Sequence, residues 1–204
     1  MKIGVDLDNT ILDYHGPIVE SARHFHGIDL GQLQSRNVMK QTIQRNLGDA
    51  AWTRLQGSVY GEFSRFAKLY CGADLFLKRV RTEGHEVSII SHKTKVPISG
   101  PARDLRFAAL ENLSRLGLGY FEPEPSPRAT VLFCETKAEK IRLIVESLVD
   151  VFIDDLFDVL VLLPEGIRRL HIFCDGTHEE VSSIECFADW AQVDSSIGGA
   201  TWIA

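Results

Sequence analysis

Short apolar runs alternate along the chain with longer stretches in which apolar residues recur every three or four positions. The run at residues 1–5, with β-branched Ile3 and Val5, predicts a strand. Residues 15–71 carry helical patches and little strand pattern. Ile18, Val19, Ala22 and Phe25 fit one helix face, with Pro17 in the first turn and Gly27 at the end. Residues 50–55 and 63–70 are expected as two further helices, with Gly57 and Gly61 as breaks. From Ala73 onward strands and helices alternate. A helix over 73–83 turns at Gly84 into a strand at 87–90, and a helix over 101–116 ends at Gly117 and Gly119. A strand at 129–133, a helix over 137–147 and a strand at 151–153 follow. The pattern closes with a helix over 158–163, a strand at 170–173 and a final helix over 183–191. The proline-rich residues 121–127 read as a stiff surface loop, since a strand of the core pattern comes directly after them.

Alternating βα units with short turns imply a mostly parallel sheet with helices on both faces. The expected fold is therefore α/β, a Rossmann-like three-layer sandwich with a parallel central sheet and a small helical insertion.

Two carboxylates, Asp6 and Asp8, arrive where the first strand stops. In open α/β sheets, ligands bind beyond the carboxyl ends of the strands, which is where these acids stand. Carboxylates so close repel each other, and a divalent metal is the simplest compensating charge. Asp154 and Asp155 follow the apolar run 149–153 in the same way. Two acid clusters at strand ends, far apart in sequence, predict one shared metal site.

The pattern Asp6-x-Asp8-x-Thr10 behind an N-terminal strand resembles the haloacid dehalogenase-like (HAD) hydrolase superfamily, whose members are mostly Mg2+-dependent phosphatases. Three further places answer to it. The run Glu86-Val87-Ser88-Ile89-Ile90-Ser91 looks like the family's second motif, a strand ending in Ser or Thr. Lys137, behind Glu135-Thr136, looks like the third, a lysine at the start of a helix. Phe152-Ile153-Asp154-Asp155 looks like the fourth, an acidic motif at a strand end. Each is weak alone, and their order and placement make the signal. The resemblance covers the core, and residues 15–71 fall where members with a small helical cap carry that insertion. The expected domains are a catalytic core of residues 1–14 and 72–204 and a helical cap of residues 15–71.

By this resemblance Asp6 is the nucleophile that forms an aspartyl-phosphate. Asp8 is the general acid for the leaving alkoxide and then the base that activates water, and its backbone carbonyl binds the metal. Ser91 donates its hydroxyl to a phosphoryl oxygen, and Lys137 holds the transferring group and screens Asp6. Lys140, one turn further on, competes with Lys137 for that role. Alignment to the family puts Asp155 on Mg2+, with Asp154 behind it or acting through water. Asp158 either orients Lys137 or a metal-bound water, or simply suits a helix N-terminus. Asp13 and Asp175 read as structural. The implied activity is hydrolysis of a small phosphate monoester, a sugar phosphate or nucleotide. A phosphomutase or phosphotransferase would share every one of these residues, whereas a non-catalytic binding module would not need Asp6, Asp8 and Asp155 together.

Composition narrows the setting. At 204 residues, 45% hydrophobic and 25% charged, the chain has the make-up of one globular domain, or of one domain with a modest insertion. A formal charge of −6 gives no basic footprint for nucleic acid, although Mg2+ could still admit a nucleotide. Cys71, Cys134, Cys174 and Cys186 lack Cys-x-x-Cys spacing, so they are expected reduced, mostly buried and structural, with neither a zinc site nor a disulfide framework. No apolar run reaches the length of a membrane span, and the expected location is cytoplasmic. The expected partner is a small phosphorylated metabolite, with no nucleic acid and no membrane; the oligomeric state stays open. For substrate contacts the candidates are His92, Lys93 and Lys95 behind Ser91, and Arg23, Arg36, Lys40, Arg45, Arg65 and Lys68 in the cap. Trp52, Tyr60, Phe63 and Phe66 either line a pocket or pack the cap.

Overall fold

A computed structural model of the chain describes residues 1–33, 35–100, 102–121, 129–174 and 183–198. Its first elements are β1 (Lys2–Val5), β2 (Leu12–Asp13), α1 (His15–His26), α2 (Arg36–Leu47) and α3 (Asp49–Tyr60). A 3-10 turn at Glu62–Phe66 leads to β3 (Lys68–Leu69), α4 (Ala73–Thr82), β4 (Glu86–His92) and α5 (Leu105–Arg115). Then come β5 (Ala129–Cys134), α6 (Lys137–Glu146), β6 (Val151–Asp154) and α7 (Phe157–Leu160). The last three are β7 (Arg168–Ile172), β8 (Ile184–Phe187) and α8 (Trp190–Ser196). Two compact units result, Met1–Leu12 with Leu69–His92 and Tyr120–Ala204, and Asp13–Lys68 with Lys93–Gly119.

The first unit is built on a parallel sheet of six strands in the order β5-β4-β1-β6-β7-β8. Its middle strands are apolar almost without interruption, and Ile3, Val5, Ile89, Phe152 and Ile153 are fully buried. Such runs suit strands covered on both faces. Gly4 pairs with Phe152, and a Cβ on Gly4 would come within 2.5 Å of the phenyl ring. That ring belongs to a cluster with Ile90, Ile144, Val149, Val159 and Leu160, which seats α6 and α7. α4 and α8, joined by Phe76 and Trp190 at 5.0 Å between ring centroids, supply the other helical layer. The expected three-layer α/β sandwich with a parallel central sheet is what forms. From β1 the chain builds outward through β4 to β5, then returns to build β6, β7 and β8 on the other side. β1 is therefore at the switch point, beyond whose carboxyl end ligands of open α/β sheets bind.

The second unit is helical, with α1, α2, α3, the 3-10 turn and α5 packed on one another. It takes in nearly all of residues 15–71, and residues 93–119 as well. The apolar face of α5, Leu105, Ala108, Ala109 and Leu113, is buried, and the helix packs on α3 and the 3-10 turn.

Several local expectations are corrected. α2 went unpredicted, because its only buried residues are Met39 and Ile43. α3 runs straight through Gly57 rather than breaking there. A Cβ at that position would collide with the Ser99 carbonyl, so the glycine serves a close approach of backbone. Residues 63–70 form the end of the 3-10 turn and β3, not an α-helix. Phe25 is 45% exposed rather than on the buried face of α1. α5 starts at Leu105, where Asp104 caps it by accepting the Arg106 and Phe107 N–H groups, several residues later than Pro101. In place of a helix over 183–191 the chain forms β8, and α8 begins at Trp190 behind an Asp189 cap. Of the cysteines only Cys134 is buried; Cys174 is intermediate, and Cys71 and Cys186 are exposed. Most of the proline-rich loop, residues 122–128, and Asp175 lie outside the described residues.

Candidate active site

β1 delivers Asp6 at its carboxyl end, where the Asp6 N–H still reaches the Ile153 carbonyl at 2.9 Å. The chain then folds into a tight turn. The Ile11 and Leu12 N–H groups both return to the Leu7 carbonyl, at 3.0 and 2.9 Å. Asn9 takes a φ of 63°, a left-handed conformation that asparagine tolerates better than most residues. The turn brings Thr10 Oγ1 to 3.2 Å from Asp6 Oδ2 and to 3.2 Å from Asp155 Oδ1. The Asp155 N–H donates to the same hydroxyl oxygen at 3.2 Å. A hydroxyl has one hydrogen, so Thr10 can serve only one of the two carboxylates at a time. The Trp190 Nε1–H fixes the turn by donating to the Thr10 carbonyl at 3.1 Å.

Lys140 supplies the counter-charge. Its side chain is buried, with Nζ 2.6 Å from Asp6 Oδ1 and 2.6 Å from Asp154 Oδ2. Asp154 spends its other oxygen on the Leu156 N–H, at 2.9 Å. Lys137, the lysine expected here, is half exposed and lies 3.6 Å from Asp158. Thr136 caps α6 by accepting the Glu139 N–H, so Lys137 is the first helical residue. The buried stripe of α6 is Lys140 and Ile144, one turn apart, and that stripe, not the first residue, turns inward.

Ser91 ends up buried on β4, and the β1–β4 register, with Val5 opposite Ile89, sets it at the same sheet edge as Asp6. Its hydroxyl has no hydrogen-bond partner among the described residues. The Cys134 thiol donates to its carbonyl at 3.3 Å, and His92 Nε2 donates to the Glu135 carbonyl at 2.9 Å, tying the ends of β4 and β5 together.

Asp6, Asp154 and Asp155 each present a carboxylate oxygen within 4.8 Å of the others. Asp8 is not in that close group, but its charge reaches Asp6. Burial pushes the Asp6 carboxyl up to about 7; Lys140 opposes the rise, and Asp154 and Asp8 add to it. Burial also works against the Lys140 ammonium, yet Asp154 and Asp6 hold its pKa above the ordinary lysine value. One ammonium thus serves two buried carboxylates while a third stands beside them, and Thr10 cannot satisfy both of its neighbours. The donors are all oxygen, and a hard divalent cation fits them.

In the helical unit, Lys93 is buried rather than solvated. Its Nζ lies 4.6 Å from the Tyr60 ring centroid and 5.6 Å from that of Tyr14. Arg36 donates to the Tyr60 hydroxyl at 3.1 Å. Trp52 and Phe63 are buried in packing, while Phe66 lies partly exposed under the Arg65 guanidinium, 4.9 Å away.

No protein-family model and no curated protein matches the chain. Solved structures do. A "predicted phosphatase" from Clostridium acetobutylicum matches at a TM-score of 0.63 and 17% identity, over 96% of this chain and 97% of that one. A Bacillus subtilis protein assigned as a HAD-hydrolase, solved bound to magnesium, matches at 0.63 and 12%, over 97% and 98%. A HAD phosphatase from Thermococcus onnurineus matches at 0.52 and 17%, over 99% and 100%. The chain has the HAD-hydrolase fold. At these identities the likeness is one of fold, and the roles of the side chains rest on their own geometry.

On this HAD fold the structure gathers Asp6, Asp154 and Asp155, buries Ser91 at the same sheet edge, and brings in Lys140 where Lys137 was expected. Thr10 is the residue that sequence reasoning left without a task, although the motif contained it. The signal for Lys140 was present too, since it shares the stripe of Ile144 at a spacing of four residues.

Proposed function

We propose that the protein is a Mg2+-dependent phosphatase that hydrolyses a small phosphate monoester, a sugar phosphate or nucleotide, through an aspartyl-phosphate on Asp6. The observation that carries this reading is the buried Asp6 carboxylate at the end of β1, held at 2.6 Å by Lys140 and within 4.8 Å of Asp154 and Asp155. In line with the family resemblance, Asp6 and Asp155, with the Asp8 carbonyl, would hold the cation, and Asp154, which accepts from Lys140 and the Leu156 N–H, would stand behind them. Bound there, Mg2+ supplies positive charge that offsets the repulsion between phosphoryl oxygens and an anionic nucleophile.

An Asp6 oxygen attacks phosphorus and the ester P–O bond breaks. Asp8 gives its proton to the departing alkoxide, which leaves as an alcohol. Water then attacks the phosphorus of the acyl phosphate, Asp8 takes its proton, and inorganic phosphate leaves with Asp6 restored. Lys140 keeps Asp6 oriented and offsets charge on the transferring group, and the Ser91 hydroxyl donates to a phosphoryl oxygen. Asp154 positions Lys140. The helical unit enters the chain directly after the Asp6 turn and again directly after the Ser91 strand. In this reading it selects the substrate. A reducing, cytoplasmic setting belongs to the same reading.

The test is phosphate release across sugar phosphates and nucleoside monophosphates, with Mg2+ and after stripping with EDTA. Turnover that needs Mg2+ and vanishes in D6N supports the reading. Full activity in excess EDTA, or in D6N, rules it out.

A further inference from the structure

Away from the acid cluster, three soft donors meet at the β7–β8 edge of the sheet. The parallel register sets His171 opposite Cys186, and Cys174 follows the end of β7. One donor atom from each of His171, Cys174 and Cys186 lies within 4.8 Å of the other two. In an extended strand Cys174 would face away from His171. Phe173 instead takes a φ of 60°, which turns the chain back, and the Cys174 N–H donates to the Phe187 carbonyl of β8 at 3.2 Å.

The histidine is oriented for ligation. His171 Nε2 is 3.0 Å from the Asp155 carbonyl. A carbonyl only accepts, so the proton sits on Nε2 and Nδ1 presents its lone pair. Cys186 Sγ is 3.9 Å from that nitrogen. An imidazole whose far N–H is held by a backbone carbonyl is the arrangement that metal-binding histidines adopt. Bonds of about 2.3 Å to sulfur and about 2.1 Å to nitrogen give a tetrahedral site ligand–ligand edges of about 3.6–3.8 Å. The present spacing is therefore about an ångström or less from closure. His171 is buried, while Cys174 is intermediate and Cys186 exposed, which leaves an entry path from solvent.

We propose that His171 Nδ1, Cys174 Sγ and Cys186 Sγ bind one Zn2+ ion, with water as the fourth ligand. The two thiol protons pass to solvent as the cation takes their place. Thiolate and imidazole donors favour Zn2+ over Mg2+, the reverse of the all-oxygen acid cluster, so the two sites sort their cations by ligand type. The His171 bond to the Asp155 carbonyl links the zinc site to the loop that carries the acid cluster. Cysteine spacing in the sequence could not reveal this site, because strand register and a left-handed residue bring its donors together.

The test titrates the reduced full-length protein with Co2+ in excess Mg2+, following thiolate-to-cobalt charge transfer in the near ultraviolet, then adds Zn2+. One equivalent of Co2+ should develop the band and one equivalent of Zn2+ should remove it. C174S and C186S should each weaken binding by about 100-fold or more, since even partners behind the ligands are worth 10–100-fold. C71S should titrate like the wild type. X-ray absorption on zinc-loaded wild-type protein should show two sulfurs and one nitrogen, a readout independent of how the variants fold. No charge-transfer band, wild-type affinity in either C174S or C186S, or a zinc shell of oxygens alone overturns the proposal. So does a Cys174–Cys186 disulfide in protein prepared under reductant, which would assign the pair to redox chemistry.

Discussion

The Lys140 ammonium reaches Asp6 Oδ1 at 2.6 Å from inside the protein, on the buried stripe of α6. An ion pair so placed is worth little as a net gain in stability, but removing one partner strands the other. K140M should therefore lower stability by about 3–5 kcal/mol and shift the thermal midpoint down. It should also reduce kcat/KM by about 10²–10³-fold, the cost of losing a preorganised electrostatic group. K137M, at a half-exposed residue 3.6 Å from Asp158, should stay within about twofold of wild type. If K137M is the damaging change and K140M the mild one, the assignment of Lys140 is wrong.

The two acids of the Asp6 turn should separate by leaving group. Under the proposed function D6N removes the nucleophile and should abolish turnover of every phosphate ester. D8N should depress alkyl phosphates far more than p-nitrophenyl phosphate, whose leaving group needs little protonation. Hydrolysis of the intermediate should slow with both substrates, so bursts of product measured before the steady state isolate the first step. Equal losses across a series of leaving-group pKa values would remove Asp8 from the acid role.

Asp6 also makes the metal-free protein sensitive to pH. Its folded carboxyl is raised from 3.8 to about 7, so between those values the folded state holds a proton that the unfolded chain has lost. Stability falls with rising pH wherever the folded state binds more protons, and one such group sets a slope of at most about 1.4 kcal/mol per pH unit. Urea unfolding in EDTA should thus show wild type losing stability relative to D6N as pH climbs from about 4 to about 7. Mg2+ favours the ionised carboxylate, so the rise in thermal midpoint that it causes should grow over the same range. A Mg2+ effect that is flat with pH would mean that Asp6 does not meet the cation.

What could be read from the chain alone followed burial. β1, β4 and β6 announce themselves because each is buried on both faces, which leaves an apolar run that stops at Asp6, Ser91 and Asp154. β8 did not, because at the sheet edge only Ile184 is buried, and Ile184, Phe187 and Trp190 recur every three positions as on a helix face. The order of the acidic, serine and lysine segments was legible, and the choice between two lysines one turn apart was left to the inward stripe of α6. Thr10 and the His171 cluster were illegible for another reason. Their partners are set by a turn and by strand register, which bring together residues that share no spacing in sequence.

The same logic bears on α5, whose position in the chain between two sheet strands hides where its apolar face goes. The face packs on α3 and the 3-10 turn, within the helical unit. Excising residues 15–67 alone, with a short Gly-Ser bridge, should therefore uncover Leu105, Ala108, Ala109 and Leu113. Each leucine so exposed forfeits about 1.5–3 kcal/mol of burial. The product should aggregate or bind hydrophobic dyes. Excising residues 94–118 as well, with a second bridge, removes that face along with its partners. The doubly excised protein keeps Asp6, Asp8, Ser91, Lys140, Asp154 and Asp155, all of which lie in the sheet unit. It should melt cooperatively and, under the proposed function, bind Mg2+. Under the proposed function it should turn over small aryl phosphates weakly and no longer discriminate among natural esters. Circular dichroism, melting curves and solubility decide the structural half: a single excision as soluble and cooperative as the double one would show that α5 does not depend on the helical unit.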